Sequence, residues 1–208
     1  MTTDTKEPVS LENPNSPGLL KEEAPEIFFV CFRVTNKNLN QEEKFFMKVE
    51  KKLAPIGVNR FYNLIRNKFY HDMRIFRAIK NFVVQFGLNG SAEVSKIWGQ
   101  AMIKGDSVKA SNKKGSVVFA MGQSPDTRTT QVYINLNDNI ALDSMGFAPF
   151  AHIVHGMDVV ERAFTGYGEA PNQGLINRHG NKYLDQEFPK LTSIISADIV
   201  QESVVPKM

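Results

Sequence analysis

The segment RIFRAIKNFVVQFG, Arg74–Gly87, is mostly apolar and aromatic, as a pair of buried strands would be. Arg77 and Gln85 interrupt it, each between large hydrophobic residues. Because successive side chains of a strand point to opposite faces, both polar residues would share the face opposite their neighbours. Those neighbours are Phe76, Ala78, Val84 and Phe86. The segment therefore predicts two strands that bury one face and present a guanidinium and a carboxamide on the other.

Length and composition indicate one folded domain. The chain has 208 residues, of which 42% are hydrophobic and 23% charged, as is typical of soluble globular proteins. No apolar run reaches the roughly 18 residues that span a membrane, and the first residues lack the features of a secretory signal or transit peptide. We therefore expect an intracellular, by default cytoplasmic, protein without membrane insertion. The single Cys31 fits a reducing compartment, because it cannot form an internal disulfide.

Charge is distributed unevenly along the chain. The formal net charge is +3, yet residues 1–26 contain six acidic residues, two lysines and four of the ten prolines. A segment of this composition should not order by itself. We predict an acidic tail over residues 1–26 and a folded domain over residues 27–208. The remainder is mildly basic but has no dense stripe of lysine and arginine, so nucleic-acid binding is not indicated.

Most of residues 27–208 follow the pattern of β-strands, with runs rich in aromatic and β-branched residues between polar stretches. The predicted strands are 26–35, 43–50, 74–79, 82–87, 115–122, 129–136, 148–156 and 191–200. About eight short strands favour an antiparallel sheet closed into a barrel, since closure removes exposed edges. The pattern alone also allows a β-sandwich.

A helical period replaces the strand pattern over residues 54–67. Four apolar residues fall on one helical face, and Pro55 suits a first turn. The four are Ala54, Val58, Phe61 and Ile65. Residues 91–102 are a weaker helix candidate, and residues 157–166 predict a short helix. The stretch YGEAPNQGLINRHGNKYLDQEFP, residues 167–189, is loop-like.

Several separated blocks resemble, in order and spacing, the signature of the cyclophilins, a family of peptidyl-prolyl cis–trans isomerases. FRAIKNFVVQFG (76–87) is similar to F-H-R-x-I-x-x-F-x-x-Q-G-G. GSVVFAMGQSPDTRTTQVYINL (115–136) and LDSMGFAPFAHIVHGMDVVE (142–161) resemble the family's S-Q-F-F-I and W-L-D…G-M-D-V-V blocks. The helix over 54–65 resembles A-P-x-x-x-x-N-F-x-x-L, and GFAPF and YGEAPNQG resemble a bacterial-like subgroup. The resemblance covers roughly residues 27–200.

The resemblance implies a mainly-β fold, a closed eight-stranded antiparallel barrel capped by two α-helices, with a proline-binding groove on its outer wall. Arg77 takes the position of the family's catalytic arginine. The implied substrate-binding residues are Phe82, Gln85, Met121, Gly122, Gln131, Tyr133, Ala141, Leu142 and Phe147. The implied activity is isomerisation of X–Pro bonds in proline-containing polypeptides during protein folding. This reaction breaks no bond, so neither a cofactor nor a metal is expected.

The chain departs from the family pattern at several positions in the implied groove. Phe76 and Phe147 stand where histidines are usual, Ala141 where a tryptophan is usual, and Gly122 where an asparagine is common. The missing tryptophan removes a hydrogen-bond donor and an aromatic wall, so we expect weak cyclosporin binding. Arg77 is retained, and the departures therefore do not predict an inactive site.

Other interpretations stay open at this point. A cyclophilin-like scaffold subunit of a larger assembly, docked through the N-terminal tail and with weak or no catalysis, would keep the same fold. A non-catalytic binder of proline motifs would bind peptide without accelerating isomerisation. A metal site at His152 and His155 is not favoured, because residues i and i+3 of a strand point to opposite faces.

Overall fold

An antiparallel sheet is the frame of the computed structural model, which describes residues 21–36 and 41–207. Its nine strands within the described residues are β1 (Ile27–Asn36), β2 (Gln41–Glu50), β3 (Met73–Arg74), β4 (Arg77–Ile79), β5 (Val83–Phe86), β6 (Ser116–Phe119), β7 (Val132–Asn135), β8 (Pro149–His155) and β9 (Ser193–Val200). Their order in the sheet is β3-β9-β1-β2-β8-β6-β7-β5-β4. All eight predicted strand segments contain a strand, and the mainly-β fold is confirmed.

The two ends of the sheet are neighbours in sequence. β3 and β4 lie at opposite ends of the strand order, and only Ile75 and Phe76 separate them along the chain. The described strand pairings do not join β3 to β4, so the covalent chain brings the edges together. The segment predicted as one strand, 74–79, is thus interrupted, which gives nine strands where eight were expected. The sheet is curled, and its hydrogen-bond ladder is open at this one position.

Aromatic side chains, several of them from neighbouring strands, fill the interior of the curled sheet. Phe32 of β1 lies opposite Phe45 of β2, and their rings stack with centroids 4.9 Å apart. Tyr70 is fully buried beside Phe32, and its hydroxyl donates to the Thr130 carbonyl at 2.8 Å. Burial raises the pKa of the Tyr70 hydroxyl far above its ordinary value. Cys31 is also buried, with a free thiol, as the sequence predicted.

Five α-helices lie within the described residues, where the resemblance implied two. They are α1 (Pro55–Arg66), α2 (Ala92–Trp98), α3 (Met157–Glu161), α4 (Gln173–His179) and α5 (Asn181–Glu187). The predicted apolar face of α1 is buried. The helices predicted over 91–102 and 157–166 are confirmed as α2 and α3, although α3 ends earlier, at Glu161. No helix among the described residues is long and apolar enough to cross a membrane.

The loop predicted over residues 167–189 is wrong, because this stretch contains α4 and α5. Each helix has only seven residues, which is too short for a clear helical period in the sequence. Long-range packing stabilises them instead, in a second hydrophobic core separate from the main one. Its buried members are Phe76, Leu88, Ile176, Leu184 and Leu191. The Asn172 side chain caps α4, and Gly180, with φ of +59°, ends it.

Residues 21–26, the last part of the predicted tail, lie against α1. The Ala24 amide donates to Asn59 Oδ1 at 2.9 Å, and Ala24 itself is buried. Glu22 exchanges backbone hydrogen bonds with the Asn63 side chain. Lys51 forms an ion pair with Glu23 at 2.7 Å. Residues 1–20, the rest of the predicted tail, and residues 37–40 lie outside the described residues.

A buried ion pair holds the start of α1 to the loop before β7. Arg128 Nη1 lies 2.9 Å from Asp106 Oδ2, and the two side chains are 4% and 3% exposed. The Asp106 carboxylate also accepts the Ile56 and Gly57 backbone N–H groups at 3.0 and 2.9 Å. The pair therefore satisfies helix donors that Ala54, the N-cap residue, cannot reach with its side chain.

We predict that Asp106→Asn lowers the free energy of unfolding by about 3–5 kcal/mol, because it leaves the Arg128 guanidinium buried without its counter-ion. Urea unfolding followed by circular dichroism measures the change. Glu187→Gln, which removes an exposed carboxylate on α5, is the control and should change the free energy by less than about 0.5 kcal/mol. A loss below about 1 kcal/mol for Asp106→Asn would show that the pair is not structurally important.

Candidate active site

The β4–β5 hairpin places Arg77 directly opposite Gln85. Arg77 Nη1 donates to Gln85 Oε1 at 3.2 Å. The turn closes with the Phe82 amide donating to the Ile79 carbonyl at 3.0 Å, and Asn81 adopts φ of +60°, which asparagine tolerates. The turn brings the Phe82 ring under the guanidinium, whose carbon lies 5.7 Å from the ring centroid, within cation–π range.

Glutamine side chains continue the hydrogen bonding away from Arg77. Gln85 Nε2 donates to Gln131 Oε1 at 2.9 Å, and Gln131 Nε2 donates to Gln173 Oε1 at 3.2 Å. Because a guanidinium can only donate, Gln85 must turn its oxygen toward Arg77 and its amino group toward Gln131. Gln131 likewise accepts from Gln85 and donates to Gln173. Arg77 therefore sets the donor-to-acceptor direction of every hydrogen bond in this chain.

The predicted alternation holds on both strands, with one exception. Ala78, Val84 and Phe86 lie in the main hydrophobic core, on the face opposite Arg77 and Gln85. Phe76, expected on that same face, lies in the second core under α4 and α5, because it precedes the first residue of β4. The alternation of side chains within β4 therefore does not fix the direction of the Phe76 side chain.

A cluster of packed apolar side chains adjoins Arg77 on the outer face of the sheet; it is called the apolar pocket below, because it is the candidate seat of the proline ring that the resemblance implies. Its buried members are Val83, Val118 and Tyr133, and its partly buried members are Phe82, Ala120, Leu142 and Phe147. The Tyr133 and Phe147 rings meet edge to face at 5.8 Å. Val83 and Val118 were missed by the sequence analysis, although the same alternation places Val83 on the face of Gln85. The structure thus brings four predicted site residues together with Val83 of β5 and Val118 of β6. The four are Phe82, Tyr133, Leu142 and Phe147.

A buried polar cluster supports the pocket from behind. The Tyr133 hydroxyl donates to Asn112 Oδ1 at 3.2 Å, and Asn112 is fully buried. Burial, with a smaller contribution from the negative charge of Asp143, raises the pKa of Tyr133 well above its ordinary range, so the hydroxyl stays a donor. Asn112 Nδ2 donates to the Phe147 carbonyl at 2.9 Å and thereby fixes the far wall of the pocket.

Three predicted site residues belong neither to the apolar pocket nor to the chain of hydrogen-bonded side chains. Gly122 is exposed, and its amide donates to Thr127 Oγ1 at 2.7 Å. Met121 is half-buried, and Ala141 is exposed on the 3-10 turn Ile140–Leu142. Ala141 therefore adds no wall to the pocket, as expected from the loss of the usual tryptophan.

Glu169 is a neighbour of Arg77 that the sequence analysis did not find. Its Oε2 accepts from Arg77 Nε at 2.9 Å, although the two residues are 92 positions apart. An open cavity of about 540 Å³ lies on this side of Arg77, and Pro171 and Gln173 also line it. Such a long-range contact between a strand and a loop leaves no local pattern in the sequence. Among the described residues, no cluster of His, Cys, Asp or Glu could hold a metal ion.

The chain belongs to the family of cyclophilin-type peptidyl-prolyl cis-trans isomerases. The family model "Cyclophilin type peptidyl-prolyl cis-trans isomerase/CLD" matches residues 27–176, which contain the β4–β5 hairpin, the apolar pocket and Glu169. Residues 177–208, including α5 and β9, lie beyond the match. The resemblance noted in the sequence blocks is therefore confirmed.

Curated relatives and solved structures agree with this assignment. The chain is 32% identical over 114 residues to "Peptidyl-prolyl cis-trans isomerase" of Acinetobacter baylyi, covering 52% of this chain and 60% of that protein. It is 28% identical over 156 residues to "Peptidyl-prolyl cis-trans isomerase B" of Escherichia coli, covering 72% and 88%. The match thus spans less than two thirds of the Acinetobacter protein.

The fold is similar to that of a cyclophilin-type peptidyl-prolyl cis-trans isomerase of Cryptosporidium parvum. The TM-score is 0.60 at 14% identity, over 85% of this chain and 99% of that structure. A second structure of the Cryptosporidium protein, in the presence of the dipeptide Ala-Pro, gives a TM-score of 0.59 at 13% identity. At this identity the likeness concerns the fold.

We predict that the carboxylate of Asp143 stabilises the pocket loop in a pH-dependent way. Partial burial would raise the pKa of Asp143, but hydrogen bonds from Ser111 and Asn112 outweigh it and hold that pKa below its ordinary value. The ionised form therefore stabilises the fold above the unfolded pKa of about 3.9, and this stabilisation is lost as the pH falls through the folded pKa.

The measurement is the difference in free energy of unfolding between the wild type and Asp143→Asn. It should be about 1–2 kcal/mol at pH 7 and should shrink steadily below about pH 4. Asp138→Asn, which removes an exposed carboxylate that accepts one backbone hydrogen bond, controls for the lost charge. A difference that stays constant from pH 7 to pH 3 would contradict the prediction.

Proposed function

We propose that this protein accelerates the cis–trans isomerisation of X–Pro peptide bonds, with Arg77 as the catalytic residue. The observation that carries the proposal is the hydrogen bonding of the three nitrogens of the Arg77 guanidinium. Its Nε and Nη1 atoms are bonded to Glu169 and Gln85, whereas Nη2 donates to no described residue. A strong donor is therefore available beside an apolar pocket that contains Phe82 and Tyr133.

The chemistry of the reaction needs such a donor and little else. Resonance gives the amide C–N bond partial double-bond character and a rotation barrier of about 18–20 kcal/mol. Uncatalysed X–Pro isomerisation therefore takes on the order of 10–100 s at 25 °C. As the amide twists, the proline nitrogen becomes pyramidal and gains a localised lone pair. A donor aimed at that lone pair stabilises the twisted state more than the planar one, which is the condition for catalysis.

Arg77 has the properties that this role requires. Its guanidinium presents several donors in a fixed plane. Hydrogen bonds from two of its three nitrogens hold it in place, and Nη2 remains for substrate. If the transition state gains about 5–6 kcal/mol, the rate rises roughly 10⁴-fold.

The surrounding residues have complementary roles in this proposal. The pocket formed by Phe82, Tyr133 and Leu142 would hold the pyrrolidine ring by apolar contact. Gln85 and Gln131 would hydrogen-bond the peptide backbone and fix one side of the amide while the other side rotates. Every atom of the mechanism belongs to side chains of the chain and to the peptide, so the proposal needs no cofactor or metal.

The preserved polar chain favours an enzyme over a scaffold subunit docked through the N-terminal tail. Gln85 is 7% exposed, and burial of a carboxamide and part of a guanidinium beside an apolar pocket has a desolvation cost. A subunit that only docks would gain nothing from these groups on its outer face. The contact of residues 21–26 with α1 leaves the docking role of the tail as a separate hypothesis, testable by co-purification.

Proline-containing polypeptides during folding are the proposed substrates. The names of the Acinetobacter and Escherichia relatives, and the Cryptosporidium structure determined in the presence of the dipeptide Ala-Pro, support this substrate class. A reducing intracellular location stays a prediction from the sequence, and the free, buried thiol of Cys31 is compatible with it.

We predict that Arg77→Ala lowers kcat/KM for a proline-containing tetrapeptide by about 10²–10³-fold, because the donor to the proline nitrogen is lost. A protease-coupled cis-to-trans assay measures the rate. Arg77→Lys should recover little of it, because a lysine keeps the charge but not the planar fork. Arg66→Ala, which removes an exposed arginine on α1, is the matched control. Activity of Arg77→Ala within twofold of the wild type would refute the proposed mechanism.

Cyclosporin binding tests the altered rim of the pocket. The wild type should bind cyclosporin weakly, in the micromolar range or above, because Ala141 offers neither an indole N–H nor an aromatic wall. Ala141→Trp should tighten binding at least about tenfold, as an aromatic wall and a donor together contribute more than about 1.4 kcal/mol. Ser144→Trp adds an indole elsewhere on the same loop and should not. Nanomolar binding by the wild type would show that the rim is not the limiting feature.

A further inference from the structure

A segment between α3 and α4, here called the covering segment (residues 167–172), runs beside Arg77. It carries Glu169 and is followed directly by Gln173, the first residue of α4. These two residues hold opposite ends of the polar chain, since Glu169 accepts from Arg77 and Gln173 accepts from Gln131. The hydrogen-bonded side chains from Glu169 to Gln173, together with the backbone that joins these two residues, thus form a closed ring.

The covering segment is attached to the strand that carries Arg77. The Ala78 amide, one residue after Arg77, donates to the Gly168 carbonyl at 3.1 Å. β4 is the last strand of the sheet, so this bond satisfies a donor on an edge that would otherwise be open. Gly168 has φ of +53°, a conformation that glycine adopts readily, and Glu169 follows it directly in the chain.

Aromatic packing makes the covering segment a firm support. The Tyr167 ring packs edge to face between Phe164 and Phe188, with centroids 4.9 and 5.1 Å away. Tyr167 also packs against the second core, whose buried Phe76 adjoins Arg77 in sequence. Glu169 is therefore displayed from a segment whose position is fixed relative to the catalytic arginine on both sides.

We propose that Glu169 is a positioning residue for Arg77, an inference that rests on the function proposed above. An arginine side chain has several rotatable bonds, and its plane must be fixed for one nitrogen to face the substrate. Gln85 holds Nη1 and Glu169 holds Nε. Because the guanidinium is planar, these two hydrogen bonds also fix the direction of Nη2. The Arg77 side chain is half-buried, at 24% exposed, but the Glu169 side chain is 67% exposed, so the ion pair is open to solvent and contributes little to folding stability. Its effect falls on the orientation of the guanidinium.

The test compares Glu169→Ala, Glu169→Gln and the wild type in the cis-to-trans assay. We expect Glu169→Ala to lower kcat about five- to tenfold with KM changed less than twofold, because misorientation affects the twisted state more than binding. Glu169→Gln should retain at least about half of the wild-type kcat, since its amide oxygen can still accept from Nε. Glu187→Ala, which removes an exposed glutamate from α5, is the matched control. All variants should melt within about 2 °C of the wild type.

A double variant shows whether Glu169 acts through Arg77. In the Arg77→Ala background, Glu169→Ala should cause no further loss, because the group that it positions is absent. An independent loss in that background would overturn the positioning role, as would unchanged or increased kcat in Glu169→Ala alone. If Arg77→Ala abolishes activity while Glu169→Ala has none of these effects, only this inference fails. An inactive wild type would overturn the proposed function together with it.

Discussion

A guanidinium that can only donate hydrogen bonds organises the outer face of this sheet. Arg77 gives one donor to Glu169 and one to Gln85, and its charge lies over the Phe82 ring. From Gln85 onward each amide must accept on one side and donate on the other. The apolar pocket, the glutamine amides and the covering segment therefore all contact Arg77 directly or through one another. The proposed chemistry depends on the Arg77 guanidinium being held in one orientation.

The departures from the family pattern are connected to this arrangement. Phe76 stands where a histidine is usual, and its ring is buried in the second core with residues of α4 and α5. A histidine at this position would place a polar ring in an apolar environment, at a desolvation cost. The phenylalanine instead anchors the two helices behind the covering segment. Phe76 therefore offers Arg77 no polar partner, and Glu169 of the covering segment provides one.

Short-range patterns in the sequence predicted the elements whose signals are local. Strand alternation gave the opposite faces of β4 and β5, and helical spacing gave α1. The same reasoning missed α4 and α5, because seven-residue helices depend on packing against Phe76 and Leu88 from elsewhere in the chain. It missed Glu169 for the same reason. The predicted strand over residues 74–79 is divided at Ile75 and Phe76, where the chain leaves one edge of the sheet and enters the other, so the sheet has nine strands where eight were predicted. What the sequence could not supply is contact between distant segments.

A crystal structure with a bound Ala-Pro peptide tests the central claim most directly. The account predicts the pyrrolidine ring on Phe82, Tyr133 and Leu142, with Arg77 Nη2 within about 3.2 Å of the proline nitrogen or its carbonyl oxygen. It also predicts that the bonds from Arg77 to Glu169 and Gln85 persist in the complex. A peptide bound elsewhere, or an arginine swung out of the groove when peptide binds, would contradict it.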